Sequence, residues 1–419
     1  MKSIKKALLV TFDFTQRGKS GTGLAAGCLL SACRAHKAYG EQFEISHLPV
    51  KMDQPDQVSA GSIGRVIQQK DELSSITHIA LACYAWSDRL IEPLIRLLRG
   101  QGFQGKFILG GYEIQAENCK IKYPGGDAYI VGNGELSLIK AILSDYILDK
   151  VIYKEAISSS QFQKLPSPYL SSTISLKHSQ PMVHWESKRG CNFKCNFCKH
   201  RDLTGEPVKA FGFDKIREEL DLFKAKDVQK INVLDPVFNK PKDNHLEILE
   251  YCLAIGLEAE LNLQVRFEFI TIEFLELCKR LNVFLEFGLQ TAIPVEYKVI
   301  DRPNNLRVIS SKIKLLHRFK QPYQVSLIYG LPLQTACSFK ESIAFLRKQD
   351  VQDIVAFPLM LLEGTRLKNE ANKWELTEKV IDESLIPHVV SSSTFSENEY
   401  AKMQTIANQL KDVQADVAA

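Results

Sequence analysis

Apolar runs that end in glycine and lead into helix-like stretches recur along this chain, and that alternation restricts its fold more than any other feature. Residues 6–14 have the continuous apolar character of a strand buried on both faces. A glycine-rich stretch, 18–23, and a helical stretch, 24–38, follow it. The pattern returns at 76–84 before a helical 87–100, at 107–111, and at 129–135 before a helical 136–143. Strands joined through helices pair in parallel, so residues 1–150 are expected to form an open parallel α/β domain. Ligands of such sheets lie beyond the carboxyl ends of the strands. Gly18, Ser20, Gly21, Thr22, Tyr84, Gly110, Gly111, Gly132, Gly134 and Glu135 fall there and are candidates for a second-cofactor or substrate loop.

Residues 151–182 are rich in serine and proline, Pro166 and Pro168 included, and read as a linker. From 183 a second series begins. One strand just before residue 191 and strands at 229–234, 262–267, 283–289, 324–329 and 354–359 alternate with helical stretches. Six such units are too few to close an eight-unit barrel. The fold class expected is therefore an N-terminal Rossmann-like sheet, then a partial (β/α)6 TIM-like barrel over 183–365. A helical or extended C-terminal region, 366–419, follows.

Composition adds limits. Fifty-three basic and forty-nine acidic side chains leave a net charge of +4, which neither demands nor forbids nucleic acid. The basic start is followed by an apolar run too short for a signal-peptide core. The longest uncharged apolar stretch, 354–362, contains Pro358 and falls well short of the roughly 18 residues needed to span a bilayer. A cytoplasmic, reducing setting is expected, with the ten cysteines available as thiols.

Three of those cysteines crowd together in Arg189-Gly190-Cys191-Asn192-Phe193-Lys194-Cys195-Asn196-Phe197-Cys198-Lys199-His200-Arg201. Thiolates at C-x3-C-x2-C converge on one soft-metal site only if the loop wraps around it. Three ligands to a four-iron cluster leave one iron open to an exogenous chelating group. A zinc site built from the three thiols and His200 is the alternative, with awkward spacings and no second cysteine pair nearby. Lys188, Arg189, Lys194, Lys199 and Arg201 surround the loop with positive charge, which suits an anionic cluster and a carboxylate-bearing cofactor.

The stretch resembles the signature of the radical S-adenosylmethionine (SAM) superfamily, including the aromatic Phe197 one place before the last cysteine. The resemblance implies a [4Fe-4S] cluster on Cys191, Cys195 and Cys198 as the catalytic centre. It also implies SAM chelated at the open iron and cleaved at a C–S bond after electron transfer. Further segments fit in order. Asp235, in Asn232-Val233-Leu234-Asp235-Pro236, matches the place where the family binds the methionine amino group. Glu286 and Gln290, in Glu286-Phe287-Gly288-Leu289-Gln290-Thr291, match the fourth-strand segment near nucleoside and substrate, with Arg302 following. Ile328, before Gly330, matches the fifth-strand glycine motif beside adenine, and Leu359 and Leu361 match the sixth-strand segment. Arg266 ends another strand on the same face.

The N-terminal domain resembles the cobalamin (B12)-binding-like domain that precedes the catalytic domain in one subgroup. The likeness rests on residues 7–14, 76–87, 107–111 and 129–135 and on Pro166 and Pro168. One departure matters: many such domains carry Asp-x-His-x-x-Gly, whereas the loop 13–23 has no histidine, and His36 and His47 lie outside it. Histidine-ligated cobalamin is thereby disfavoured. Cobalamin without a protein ligand and a retained fold without cobalamin both stay open. Gly18-Lys19-Ser20 resembles the end of a phosphate-binding loop, but Asp13 stands where its first glycine belongs. Glycines easing the turn into a helix are the plainer reading.

The resemblance implies an enzyme that functionalises a small molecule or peptide in a specialised pathway, fed by a flavodoxin- or ferredoxin-type donor. Cobalamin-dependent methylation is one form of it. The alternatives are transfer of the SAM 3-amino-3-carboxypropyl group without cobalamin, RNA modification, and a non-catalytic zinc-binding protein. The glutamate-rich tail offers no basic stripe with aromatic platforms, which argues against nucleic acid.

Overall fold

The computed structural model describes residues 4–14, 22–53, 57–70, 72–145, 150–154, 157–200, 208–381 and 385–417. It comprises two compact units, the first built mainly from Met1–Lys177 and the second from His178–Ile381 with Pro387–Ala419.

In the first unit, β1 (Lys5–Asp13), β2 (Phe43–Lys51), β3 (His78–Ala82), β4 (Lys106–Gly110), β5 (Ala128–Ile130) and β6 (Val151–Tyr153) form one parallel sheet. Their order is β2-β1-β3-β4-β5-β6. Successive strand side chains point to opposite faces, and here each face has its own core. Leu8, Val10 and Phe12 join Leu81 and Leu109 under Ile91 and Leu94 of the helix Asp88–Gly100. Ala7 and Leu9 join Ala80 and Ile108 under Leu30 of the helix Leu24–Ala35 and Leu138 of the helix Glu135–Leu143. Burial on both faces is why β1 reads as an unbroken apolar run. The strand order reverses between β1 and β3, which puts the ligand crevice at their carboxyl ends. Residues 151–182, expected as a linker, contain β6 and a capped turn of helix, Ser159–Gln163.

In the second unit, β7 (Val183–Trp185) is followed by a two-stranded ribbon of β8 (Lys188–Arg189) and β9 (Lys209–Ala210). Then come β10 (Lys230–Val233), β11 (Glu260–Val265), β12 (Val283–Gln290), β13 (Tyr323–Tyr329) and β14 (Ile354–Pro358). These five and β7 form a parallel sheet ordered β14-β13-β12-β11-β10-β7, the six expected strands in sequence order. β12 shows how the sequence sets its faces. Val283, Leu285, Phe287 and Leu289 are buried, while Phe284, Glu286, Gly288 and Gln290 alternate with them and are half-buried. The tail forms a hairpin of β15 (Thr377–Val380) and β16 (Pro387–Ser391) and a helix, Glu397–Val417. Among the described residues, no helix is long and apolar enough to cross a membrane.

Candidate active site

The cysteine loop leaves β8 at the carboxyl end of the second sheet, and buried polar groups fix both its ends. Asp235, just past β10, is fully buried. Its Oδ1 accepts from the amides of Ser187 (2.8 Å) and Lys188 (3.2 Å), and its Oδ2 accepts from the Ser187 hydroxyl. Burial pushes its carboxyl up to about 6, against the opposing pull of Lys188 and those hydrogen bonds. Both oxygens thus accept hydrogen bonds from the segment entering the loop. Lys188 Nζ donates to Asp243 Oδ2 (2.6 Å) and the Phe238 carbonyl (3.1 Å), and Arg189 forks onto Glu186.

The far end is held by Asn196. It is buried; its amide donates to the Ile300 carbonyl (3.0 Å), its Nδ2 to the Val299 carbonyl (2.6 Å), and its carbonyl accepts from Leu367 (3.0 Å). Cys198 then turns back, its amide donating to the Cys195 carbonyl at 3.2 Å. Lys199 Nζ donates to the Glu363 carbonyl. Phe197 is half-buried between these anchors, and His200 is exposed.

One arginine reaches a thiol and a second lies in the same electrostatic neighbourhood. Arg302 Nη1 lies 3.6 Å from Cys195 Sγ, while its Nη2 donates to the Gly288 carbonyl. Arg266 is buried, stacks its guanidinium 3.8 Å from the Phe193 ring centroid, and pairs with Glu268 at 2.5 Å. Burial pulls Arg266 below its ordinary pKa, and the charge of Arg302 adds to that. Burial raises the Cys191 thiol, a hydrogen bond from the Phe193 backbone counters it, and Cys195 raises it further, while Arg266 and Arg302 pull it down. Cys191, Cys195 and the two guanidiniums thus share one electrostatic neighbourhood. Among the described residues, no three His, Cys, Asp or Glu side chains are grouped closely enough to hold a metal ion. Ligand convergence is ordinarily coupled to metal binding. The donor chemistry fits an anionic iron–sulfur cluster: three soft thiols, two of them in the field of two buried or half-buried guanidiniums.

The glycine at 288 makes the arginine contact feasible. A Cβ there would lie 2.5 Å from Gln290 Nε2 and 3.2 Å from Arg302 Nη2. The β12–β13 register shifts between Gly288 and Gln290, and Gln290 adopts φ 68°, a left-handed conformation costly for a non-glycine residue. Asn304 Nδ2 holds the kink through the Leu289 and Thr291 carbonyls, both at 2.9 Å. On the same face Glu286 Oε1 accepts from Asn262 Nδ2 at 2.9 Å. Ile328 is half-buried opposite Phe357. Leu359 is buried with both backbone groups committed, its N–H to Tyr329 and its carbonyl to Val389, and Leu361 is buried beyond it.

Sequence reasoning missed the support behind this rim. Glu296 is fully buried; Thr291 Oγ1 donates to it at 2.5 Å, Ser338 Oγ donates to it, and Gln334 Nε2 donates at 3.4 Å. Burial raises its carboxyl while those three donors hold it down. Gln334 Oε1 in turn accepts from the amides of Gly330 (2.7 Å) and Leu331 (3.2 Å). One carboxyl and one carboxamide therefore tie the ends of β12 and β13 to the helix Ala336–Lys348.

In the first unit, Gly18, Ser20 and Gly21 lie outside the described residues, and Thr22 is half-buried. The remaining candidates ring the carboxyl ends of β3, β4 and β5. Gly111 has φ 115°, and a Cβ there would collide with the Cys83 carbonyl; Gly132 has φ 85° and open space around it. Gly134 precedes Glu135, which is buried. Aromatic side chains gather on this rim. Tyr84 and Trp86 stack at 4.7 Å and 8°, Tyr112 meets Tyr84 edge-on at 6.0 Å, and Phe14 lies 5.9 Å from Trp86. Phe14 and Tyr112 are exposed. Their sequence signal was an aromatic within four residues of three strand ends. His47 sits back in β2, its Nε2 2.9 Å from Thr11 Oγ1. Broad aromatic surface, glycine-made space and no rim histidine among the described residues fit a large flat ring such as a corrin held without a histidine ligand.

Comparison with known proteins follows the same lines. Residues 185–346 match the Radical SAM superfamily. The chain is 24% identical over 331 residues to the cobalamin-dependent radical SAM methyltransferase TokK of Streptomyces tokunonensis, covering 69% of this chain and 47% of TokK. It is 24% identical over 309 residues to the 2-(S-pantetheinyl)-carbapenam-3-carboxylate methyltransferase of Streptantibioticus cattleyicolor, covering 64% and 44%. It thus spans about half the length of these curated relatives. Among solved structures, the radical SAM methyltransferase TsrM of Kitasatospora setae shares the fold over 97% of this chain and 89% of its own, with TM-score 0.68 and 12% identity. The cobalamin-dependent radical SAM enzyme OxsB shares it over 97% and 66%, with TM-score 0.66 and 13% identity.

Proposed function

We propose that this chain, a radical SAM protein with a cobalamin-binding-like sheet ahead of its catalytic domain, is a cobalamin-dependent methyltransferase. Its substrate is a small molecule of a specialised biosynthetic pathway. The observation that carries the reading is the pairing of the C-x3-C-x2-C loop with Arg302, whose guanidinium spans from the β12 kink to the Cys195 thiol. The two curated relatives, both methyltransferases, support methylation among the reactions open to such a site.

When bound, a [4Fe-4S] cluster held by Cys191, Cys195 and Cys198 would supply a low-potential electron and an open iron for SAM, and cobalamin held at the first unit's rim would supply a methyl carrier. The chain's own residues position and shield. Asp235 and Asn196 fix the two ends of the cysteine loop. Arg302 and Arg266 place positive charge near the thiols, which suits an anionic ligand. Glu286 and Gln290 present polar groups on the half-buried face of β12 where a nucleoside or substrate meets the sheet. Tyr84, Trp86 and Tyr112 offer the apolar surface for cobalamin. A flavodoxin- or ferredoxin-type protein delivers the electron, and the reaction runs in the reducing cytoplasm.

The test is anaerobic reconstitution with iron, sulfide and cobalamin, then incubation with reductant and SAM carrying a deuterated methyl group. Label in a small-molecule product, S-adenosylhomocysteine, and loss of both in Cys191→Ala, Cys195→Ala or Cys198→Ala are expected. Methylthioadenosine without label transfer would point to aminocarboxypropyl chemistry. A colourless, zinc-loaded protein would sink the radical reading altogether.

A further inference from the structure

The near-neutral total charge conceals one strongly uneven element. The helix Leu306–Phe319, with its C-cap Lys320, carries Arg307, Lys312, Lys314, Arg318 and Lys320 and no acidic residue. Every other helix of eight or more residues in the second unit carries at least one Asp or Glu. Ile309, Ile313 and Leu316 face inward, and Lys312 donates to the Ile270 carbonyl, so these do not belong to the surface. Arg307, Ser311, Lys314 and Arg318 are exposed and follow one another at intervals of four, three and four residues. That spacing stacks them on a single face of the helix. Among the described residues none of these three cations forms an ion pair, although exposed cations elsewhere, such as Arg366 and Lys379, do. Beside the stripe runs a shallow groove of about 430 Å³, lined by Leu306, Arg307, Ser310, Ser311, Lys314 and Phe345.

The stripe's position gives it meaning. Arg302, whose guanidinium touches Cys195, precedes Leu306 by four residues, and Asn304 and the cap Asn305 pin the connection. Four extended residues span at most about 14 Å, so the basic face starts close to the cysteine loop.

We infer that the face Arg307–Ser311–Lys314–Arg318 is the docking surface for an acidic electron-carrier protein of the flavodoxin type. This rests on the iron–sulfur reading of the cysteine loop. Unpaired cations on a rigid helix steer an acidic partner and fix its orientation with little desolvation. One electron passes from the partner's reduced flavin to the cysteine-held cluster, oxidising the one and reducing the other, and no atom is transferred. RNA is the less fitting occupant, because Phe345 is the single aromatic side chain lining the groove, too few for a row of stacked bases.

The experiment measures binding of a purified bacterial flavodoxin, in its oxidised form, by calorimetry at low and moderate salt. In parallel, cluster reduction is followed by visible bleaching with dithionite and with reduced flavodoxin. The triple variant R307E/K314E/R318E should bind flavodoxin at least about tenfold more weakly at low salt and lose most of the salt dependence. Its dithionite bleaching should match the parent, and its flavodoxin-driven bleaching should slow about as much as binding weakens. Undiminished flavodoxin binding by the triple variant would overturn the assignment, as would no binding by the parent or tighter binding of a single-stranded RNA oligonucleotide. Failure of dithionite to bleach the parent would instead sink the iron–sulfur reading, while the calorimetry still reports on the stripe.

Discussion

Gly288 is the residue on which the geometry of the thiol-contacting arginine turns. Its neighbours at the missing Cβ are the ends of two flexible side chains, Gln290 and Arg302, so Gly288→Ala can be accommodated by moving them. The fold should survive with a loss of about 1–2 kcal/mol, while Arg302 loses its carbonyl anchor. The expected result is an unchanged thermal midpoint within a few degrees but a cluster of lower reduction potential, measured by redox titration of the reconstituted protein. A parental potential would show that Arg302 does not tune the site. Asp235 gives a second residue-scale prediction. Its carboxyl is raised to about 6 in the folded protein, above the ordinary 3.8. Between these values the folded chain binds more protons than the unfolded one. The group's contribution is therefore most favourable at low pH and is lost as pH rises to about 6. Relative to the parent, Asp235→Asn should gain roughly 2 kcal/mol between pH 4 and pH 7. Denaturant titrations at both pH values check this, and a difference that does not move with pH refutes it.

At the scale of elements, Glu296 joins β12, β13 and the helix Ala336–Lys348 through three donors. Glu296→Ala strands those donors in a buried site, and the expected loss is about 3 kcal/mol or more. Glu296→Gln, which keeps the shape and an acceptor, should recover at least half of it in the same denaturation assay. Equal losses for both variants would mean that charge, not hydrogen bonding, holds the rim. None of this was legible in the sequence, since Thr291, Glu296, Gln334 and Ser338 are ordinary polar residues brought together only by the sheet. The six strands of the second sheet were legible because β12 and its neighbours alternate apolar and polar residues over useful lengths. β2 and the helix Ala60–Lys70 were not anticipated. β2 reads FEISHLPVK, with a proline and an edge position that leave it only partly buried. β6 was hidden by its three-residue length. The cysteine loop was plain from spacing, whereas the engagement of Asp235 by Ser187 depends on how β8 leaves the sheet.

For the whole molecule, the sequence and the fold divide the chemistry between two parallel sheets whose carboxyl ends each carry a distinct set of side chains. The second sheet concentrates thiols and guanidiniums, and the first concentrates aromatics and glycines. The thiols and guanidiniums are charged and suit an iron–sulfur cluster, whereas the aromatic rim offers apolar surface with no histidine among its described residues. The strands β1, β3 and β4 are buried on both faces, so any ligand that binds the folded rim alone stabilises the unit as a whole. At about one hundred times its dissociation constant, such a ligand adds roughly 2.7 kcal/mol, a slowing of about one hundredfold in exchange through global opening. Cobalamin added to the purified protein should therefore protect the amides of β1, β3 and β4, read by hydrogen–deuterium exchange and mass spectrometry. Tyr112→Ala removes an exposed ring of the aromatic group and should reduce that protection without altering the ligand-free exchange pattern. Unchanged exchange in these strands with excess cobalamin would mean that the first unit keeps the fold without the cofactor, and the methyl carrier would have to be sought elsewhere.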